Sequence, residues 1–189
     1  MIHPAPEAED PQVLIGRLRA NVARLEQRIE DLDRLAHHDS LVPLPNRRGF
    51  IRQLERMIAR VDRYGDEAAL LFIDVDGLKS VNDSYGHHAG DAALIHVAQV
   101  LVDGLRKCDC VARFGGDEFT VLLERADSVQ AFDTSVRLTN AIADTRFVHD
   151  GQMIPLSAAV GVTSIVAGDK ADAVLTRADR AMYQEKVAA

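Results

Sequence analysis

The sequence predicts an α/β or α+β fold in which helices pack on a central sheet, with an additional helix at the N-terminus. Between residues 46 and 186, short apolar runs alternate with segments whose apolar residues recur at helical spacing. The composition, 47% hydrophobic and 27% charged, is that of a chain that buries a core. The length of 189 residues fits one globular domain plus an appendage, at roughly 150 residues per domain.

The charge balance and the cysteines narrow the functional classes. With 22 Lys and Arg against 29 Asp and Glu, the net charge is −7, so we expect binding neither to nucleic acid nor to an anionic membrane. There is no run of about 18 apolar residues and no signal-peptide pattern in 1–12, which predicts a cytoplasmic protein without a membrane segment. Cys108 and Cys110 are expected to be reduced strand residues, because they lack the partners of a disulfide framework or a zinc site.

The N-terminal 38 residues predict a lead-in followed by a stalk. Prolines among acidic residues make 1–11 an extended, flexible lead-in. Over 12–38, apolar residues alternate at spacings of 3 and 4, which predicts a coiled-coil helix for dimerisation. The residues of this seam are Ile15, Leu18, Val22, Leu25, Ile29, Leu32 and Ala36. β-Branched residues at a and Leu at d favour a parallel dimer. The alternative is an amphipathic helix that folds back on its own domain.

Residues 39–189 are expected to form the globular domain. Two prolines around Leu44 predict a stiff turn that works as a hinge, and Asn46 is suited to cap the helix that follows. Apolar periodicity predicts helices over 46–64, 91–105, 127–142 and 171–186. Apolar runs predict strands over 68–73, 110–114, 119–123, 147–150 and 153–165.

Two acidic clusters each adjoin a predicted strand. Asp74 and Asp76 follow the buried strand that begins at residue 68, while Asp117 and Glu118 follow a pair of glycines. Carboxylates in these places are expected to face each other across neighbouring strands, where hard oxygen ligands suit Mg²⁺ bridging to a substrate phosphate. The alternative is that each cluster is a solvated turn, since Asp and Gly are common in turns.

Several motifs in the same order resemble the GGDEF family of diguanylate cyclases. Residues 113–119 read Arg-Phe-Gly-Gly-Asp-Glu-Phe, 74–83 read Asp-Val-Asp-Gly-Leu-Lys-Ser-Val-Asn-Asp, and 85–91 read Tyr-Gly-His-His-Ala-Gly-Asp. Leu-Pro-Asn-Arg-Arg at 44–48 and Ala-Asp-Arg-Ala-Met-Tyr at 178–183 extend the resemblance from about Asp39 to Lys186. It implies a five-stranded sheet wrapped by helices, like a nucleotidyl cyclase core. It also implies a homodimer that condenses two GTP into cyclic di-GMP and releases two pyrophosphates.

The resemblance also implies roles for individual residues. Mg²⁺, or Mn²⁺ in its place, would be held by the catalytic acids and one backbone group, namely Asp74, Asp117, Glu118 and the backbone of Val75. Glu118 would help to deprotonate the attacking 3′-hydroxyl or hold a second metal. The triphosphate would meet Lys79 and Lys186, for which the alternative is a solvated surface lysine.

The resemblance also implies which residues bind the guanine base and what the glycine turn does. The resemblance implies that Asn82 and Asp91 bind the guanine base. Taken without the resemblance, Asn82 would be interpreted as a helix-end residue and Asp91 as a helix cap. Gly115 and Gly116 would let the backbone approach the nucleotide, the alternative being a plain type I′ hairpin turn.

A second site is implied upstream of the glycine turn. Arg106, Asp109 and Arg137 match the family's inhibitory site for its product, whereas Arg106 and Asp109 taken alone would be read as a surface salt bridge. This leaves an alternative function, a non-catalytic signalling module that binds cyclic di-GMP.

Overall fold

The computed structural model describes residues 10–188 and divides the chain into two units, with the boundary between Ala36 and His37. The first unit contains helix α1 (Pro11–His37) except for its last residue, and this helix confirms the predicted one. Residues 1–9 of the expected lead-in lie outside the described residues, and α1 begins at Pro11, the last residue of that lead-in. No residue of α1 is buried, and the six apolar side chains from Ile15 to Leu32 at the a and d positions are 42–66% exposed. Pairing of α1 with a second helix remains a prediction.

The second unit alternates helices and strands, as the apolar periodicity predicts. Its helices are α2 (Arg47–Tyr64), α3 (Leu78–Tyr85), α4 (His87–Asp103), α5 (Ser128–Asp144) and α6 (Ala171–Ala188). Its strands are β1 (Ala68–Val75), β2 (Cys110–Arg113), β3 (Glu118–Glu124), β4 (Val148–His149), β5 (Gln152–Met153) and β6 (Ala158–Ile165). The Asn46 side chain accepts the Gly49 N–H and caps α2, which confirms that part of the sequence reading.

The main sheet has the order β2-β3-β1-β6, and every neighbouring pair is antiparallel. The expected five-stranded sheet is therefore wrong in its strand count. Pro155 interrupts the strand expected over 153–165, because a proline supplies no N–H to a ladder. Met153 ends β5, which pairs only with β4 in a separate hairpin turned at Asp150 and Gly151, both with positive φ. The sheet gains its last strand only at Ala158.

The sheet is covered on both faces. One hydrophobic cluster joins it to α4 and α5, and a second joins it to α2 and α6. Gly161 on β6 has no room for a Cβ, since the backbone at Ala178 and Met182 of α6 lies directly against it. This close crossing fixes the path of α6, whose last turn carries Lys186. Within residues 10–188, no helix combines the length and the apolar character needed to cross a bilayer.

Candidate active site

The register of the sheet brings the two predicted acidic clusters together. Asp74 near the end of β1 lies opposite Glu118 at the start of β3. The Val75 N–H donates to the Asp117 carbonyl at 3.0 Å, so Asp117 belongs to the same edge. Because β1 and β3 are antiparallel, the end of one strand meets the beginning of the other. The expectation that the carboxylates face each other across adjacent strands is confirmed.

Negative charge accumulates at this edge. Burial raises the pKa of Glu118, and the neighbouring charges of Asp117, Asp74 and Asp179 raise it further, while Arg47 opposes them. Repulsion between carboxylates disfavours the ionised form of each. A positively charged group bound at this edge therefore relieves the repulsion between the carboxylates.

Lys186 supplies one such charge. Its ammonium donates to Asp74 Oδ1 at 2.5 Å, and the two side chains are 42% and 13% exposed. The hydrogen bond to Asp74 and the charges of Asp74, Asp76 and Asp117 raise the pKa of Lys186 above its usual value, against a smaller effect of burial. The lysine that the family resemblance assigns to the triphosphate thus lies at the carboxylate edge.

The donor set fits a divalent cation of the magnesium type. Among the described residues, no three His, Cys, Asp or Glu side chains form a closed metal site by themselves. Mg²⁺ does not require one, because it keeps several waters and is bound through one or two carboxylates plus substrate phosphates. The ammonium already bonded to Asp74 shows that a cation is accommodated at this edge. Asp74 and Asp117 are suitable first ligands.

The glycine turn is shaped around Glu118. The N–H groups of Phe114 and Gly115 both donate to the Glu118 carbonyl, at 2.8 and 3.3 Å. Neither Gly115 nor Gly116 has a positive φ, so the type I′ alternative is wrong. A Cβ on Gly115 would collide with Glu118 Oε2, whereas one on Gly116 would meet open space. Gly115 therefore makes room for the Glu118 carboxylate.

The residues expected to read guanine lie on two adjoining helices. Asn82 lies in the last turn of α3, and its side-chain oxygen packs against Gly90 of α4. Any side chain at position 90 would collide with that oxygen. Gly90 immediately precedes Asp91, which is exposed. Since α4 begins at His87, the reading of Asp91 as a helix cap is wrong. Lys79 is exposed on the first turn of α3.

The residues of the expected inhibitory site surround the loop between α4 and β2. The Asp109 carboxylate accepts the backbone N–H of Arg106 at 3.0 Å and that of Glu124 at 3.2 Å. Arg137 of α5 donates to the Gly104 carbonyl at 2.5 Å. No ion pair joins the Arg106 guanidinium to Asp109 within residues 10–188, so the surface salt-bridge reading is wrong. A cavity of about 380 Å³ is lined in part by Arg106 and Asp109.

Three further side chains around the carboxylate edge and the glycine turn received no role from the sequence, namely Asp39, Arg113 and Ser157. Asp76 accepts the Ser157 hydroxyl at 2.8 Å, and its N–H donates to the Ser157 carbonyl, which ties the approach to β6 to the end of β1. Arg113 donates to Asp39 Oδ1 at 3.0 Å and also to the Gly116 carbonyl. Asp39 and Arg113 stand within or beside quoted motifs, but their contact spans 74 positions and cannot be found from local spacing.

Comparison with known proteins identifies the family. The model of the family described as "Diguanylate cyclase, GGDEF domain" matches residues 36–189. Diguanylate cyclase DgcP of Pseudomonas aeruginosa is 36% identical over 97% of this chain and 29% of its own length. The response regulator PleD of Caulobacter vibrioides is 32% identical over 94% of this chain and 41% of its own length. The chain thus spans well under half of these relatives.

Solved structures agree with this result. The coiled coil and GGDEF domain of DgcB from Caulobacter crescentus, in complex with c-di-GMP, matches with a TM-score of 0.89 at 25% identity over 95% of this chain and 96% of that one. The GGDEF domain of TpbB from Pseudomonas aeruginosa matches with a TM-score of 0.76 at 38% identity, over 81% of this chain and 90% of that one. The chain belongs to the GGDEF family of diguanylate cyclases.

Proposed function

We propose that this chain is a diguanylate cyclase, which condenses two GTP into cyclic di-GMP with release of two pyrophosphates. The observation that carries the proposal is the facing of Asp74 and Glu118 across β1 and β3, with Asp117 on the same edge, in a chain of this family. In each of two steps, the 3′-oxygen of one GTP bonds to the α-phosphorus of the other, its proton leaves, and pyrophosphate departs.

The carboxylates have two different roles in this proposal, cation binding and proton transfer. Asp74, Asp117 and the backbone of Val75 would hold Mg²⁺, or Mn²⁺ with the same oxygen ligands. The chemistry that such a cation would supply, when bound, is neutralisation of negative charge on the phosphates. Glu118 accepts the 3′-hydroxyl proton or holds a second cation. Lys186 holds phosphate oxygens from the last turn of α6.

Recognition of the base follows from hydrogen-bond chemistry. Asp91 accepts from the N1 and N2 hydrogens of guanine, and the Asn82 amide bonds to the same edge. Adenine lacks both of these hydrogens, so ATP would leave the Asp91 carboxylate without a partner. Lys79, one turn before Asn82 on α3, adds charge toward the triphosphate. GTP is the expected substrate.

The reaction requires two copies of the domain, since each site holds one GTP. Two domains held together meet at a far higher effective concentration than two free ones. The exposed a and d positions of α1 supply a seam for a parallel coiled coil over 12–38. We therefore assign homodimerisation to α1.

The loop between α4 and β2 is assigned to product inhibition. The guanidinium groups of Arg106 and Arg137 can fork onto phosphate or guanine, and Asp109 has lone pairs beyond its two backbone bonds. Two DgcB structures and one further GGDEF domain structure that match this chain describe the domain with c-di-GMP. These features support feedback by the product.

The test is nucleotide turnover with Mg²⁺ after removal of co-purified cyclic di-GMP. We expect cyclic di-GMP from GTP and none from ATP, and loss of the product in Asp117→Ala. A chain that binds cyclic di-GMP but never forms it from GTP would instead be a non-catalytic signalling module.

A further inference from the structure

The turn between β2 and β3 is held differently at its two ends. At the first end, the Phe114 ring packs edge-on against Phe50 and Phe72, with centroids 6.0 and 5.3 Å away, and Arg47 lies over the ring at 4.8 Å. The Phe114 N–H also donates to the Glu118 carbonyl. Core packing therefore anchors this end.

The second end has no such packing. Gly116 is exposed, and no atom lies within 4 Å of the position that its Cβ would occupy. Its carbonyl accepts two hydrogen bonds from Arg113, from Nε at 3.2 Å and from Nη2 at 2.8 Å. No other hydrogen bond holds this carbonyl within the part of the chain that the structure describes. The Arg113 fork is thus the anchor of the residue that directly precedes Asp117.

Arg113 is in turn held by Asp39. Its Nη1 donates to Asp39 Oδ1 at 3.0 Å, and the two side chains are only 14% and 19% exposed. The same oxygen accepts the N–H groups of Leu41 and Val42 at 2.9 and 3.1 Å. Although burial favours the neutral acid, these two N–H groups and Arg113 together hold the pKa of Asp39 below its ordinary value. Asp39 is a fixed anion to which the guanidinium is tied.

We propose that Arg113 and Asp39 are positioning residues, which fix the Gly116 carbonyl and thereby orient Asp117 and Glu118 for the reaction. Neither contacts the substrate in this scheme; both act through the turn. Misplacing a reacting group by about 1 Å costs on the order of a hundredfold in rate, so one anchor is enough to matter. The inference rests on the proposed cyclase function.

The experiment compares Arg113→Ala, Arg113→Lys and Asp39→Asn with a matched control. The control is Arg177→Ala, which removes a similar guanidinium fork on Asp169, bonded at 2.7 and 2.8 Å in the same domain. Steady-state kinetics with GTP and Mg²⁺ separate kcat from KM. Amide hydrogen exchange of Phe114 and Gly115, followed without substrate, reports the order of the turn itself.

We expect kcat to fall about 10- to 100-fold in Arg113→Ala, with KM changed by less than about threefold. Arg113→Lys should fall nearly as far, because one ammonium cannot hold both Asp39 and Gly116. Asp39→Asn should lose less, and Arg177→Ala should keep its kcat. Exchange of the turn amides should accelerate only in the Arg113 and Asp39 variants.

Two results would overturn the proposal: an Arg113→Ala kcat within about twofold of wild type, or turn amides whose exchange matches that of Arg177→Ala. Failure of the wild-type chain to form cyclic di-GMP would refute the proposed function instead. The exchange comparison would then still decide whether Arg113 orders the turn.

Discussion

The two turns that flank β2 use their carboxylates in opposite ways. Before the strand, the two carboxylate oxygens of Asp109 accept the backbone N–H groups of Arg106 and Glu124. After the strand, Asp117 and Glu118 form no side-chain hydrogen bond within residues 10–188, and burial and like charge raise the pKa of Glu118. A carboxylate whose two oxygens each accept a backbone N–H stabilises a turn, whereas crowded carboxylates without hydrogen bonds impose a cost that function explains. This difference supports the proposal that catalysis takes place after β2 and that the product binds before it.

The largest expected effect comes from removing charge at the crowded edge. Asp74→Asn should lower cyclic di-GMP formation by at least about a thousandfold, because a cation ligand is lost at the reacting phosphate. Thermal stability should change little, since the relief of repulsion with Glu118 offsets the loss of the ion pair with Lys186. Asp127→Asn, which keeps the cap of α5, is the control for a lost carboxylate. An active Asp74→Asn enzyme would place the chemistry elsewhere.

The two glycines of the turn differ in how much room each has for a side chain, and alanine substitutions at the two positions test this difference. Gly115→Ala should reduce activity about 10- to 100-fold, because its Cβ displaces the Glu118 carboxylate from its position. Gly116→Ala adds the same methyl group into open space and should reduce activity far less. Initial rates at matched protein concentration measure both. Equal losses in the two variants would contradict the fit between Gly115 and Glu118.

Disrupting the coiled-coil seam of α1 should lower specific activity, and the loss should grow as the protein is diluted. A Val22→Glu, Leu25→Glu double variant places charge in the seam, so specific activity should fall about tenfold or more as the protein is diluted. Ala23→Glu adds a single such charge on the helix outside the seam and is the control. Unchanged specific activity of the double variant across dilution would rule out dimerisation through α1.

The smallest expected effect on basal turnover lies at the Asp109 turn. Arg106→Ala should leave turnover without product within about twofold of wild type and raise the product concentration needed for inhibition, because its guanidinium serves the ligand. Asp109→Ala should do the same but also destabilise the domain by about 1–2 kcal/mol, since two backbone N–H groups lose their acceptor. Product titrations and thermal melts separate the two. Full inhibition in Arg106→Ala would refute the assignment.

Much of the fold could be predicted because local signals agree with it. The cap at Asn46 and the apolar periodicity locate α2, α5 and α6 closely. The strand predicted over 153–165 is correct from Ala158 onward, but the main sheet has four strands rather than five, because Pro155 lacks the N–H that a continuous strand would need and β5 pairs only with β4. The helix carrying Asp91 begins earlier than predicted, at His87, directly after Gly86, whose positive φ separates α4 from α3.

The sequence marks the residues of the candidate site but not the contacts that join them. Asp74 and Glu118 are each marked by a motif, and sheet register alone brings them together. The roles of Asp39 and Asp179 depend on contacts between distant segments, which no local spacing encodes. The conformation of the turn at Gly115 also depends on the Glu118 carbonyl that closes it.

The most direct test of the central claim is to measure pyrophosphate and cyclic di-GMP in one reaction of the wild-type chain with GTP and Mg²⁺, after product removal. If the carboxylate edge after β2 is the catalytic centre, we expect both products in the ratio that the condensation requires, two pyrophosphates for each cyclic di-GMP, and neither product from Asp74→Asn. Tight binding of cyclic di-GMP with no pyrophosphate released would contradict it and leave the Asp109 turn as the functional site.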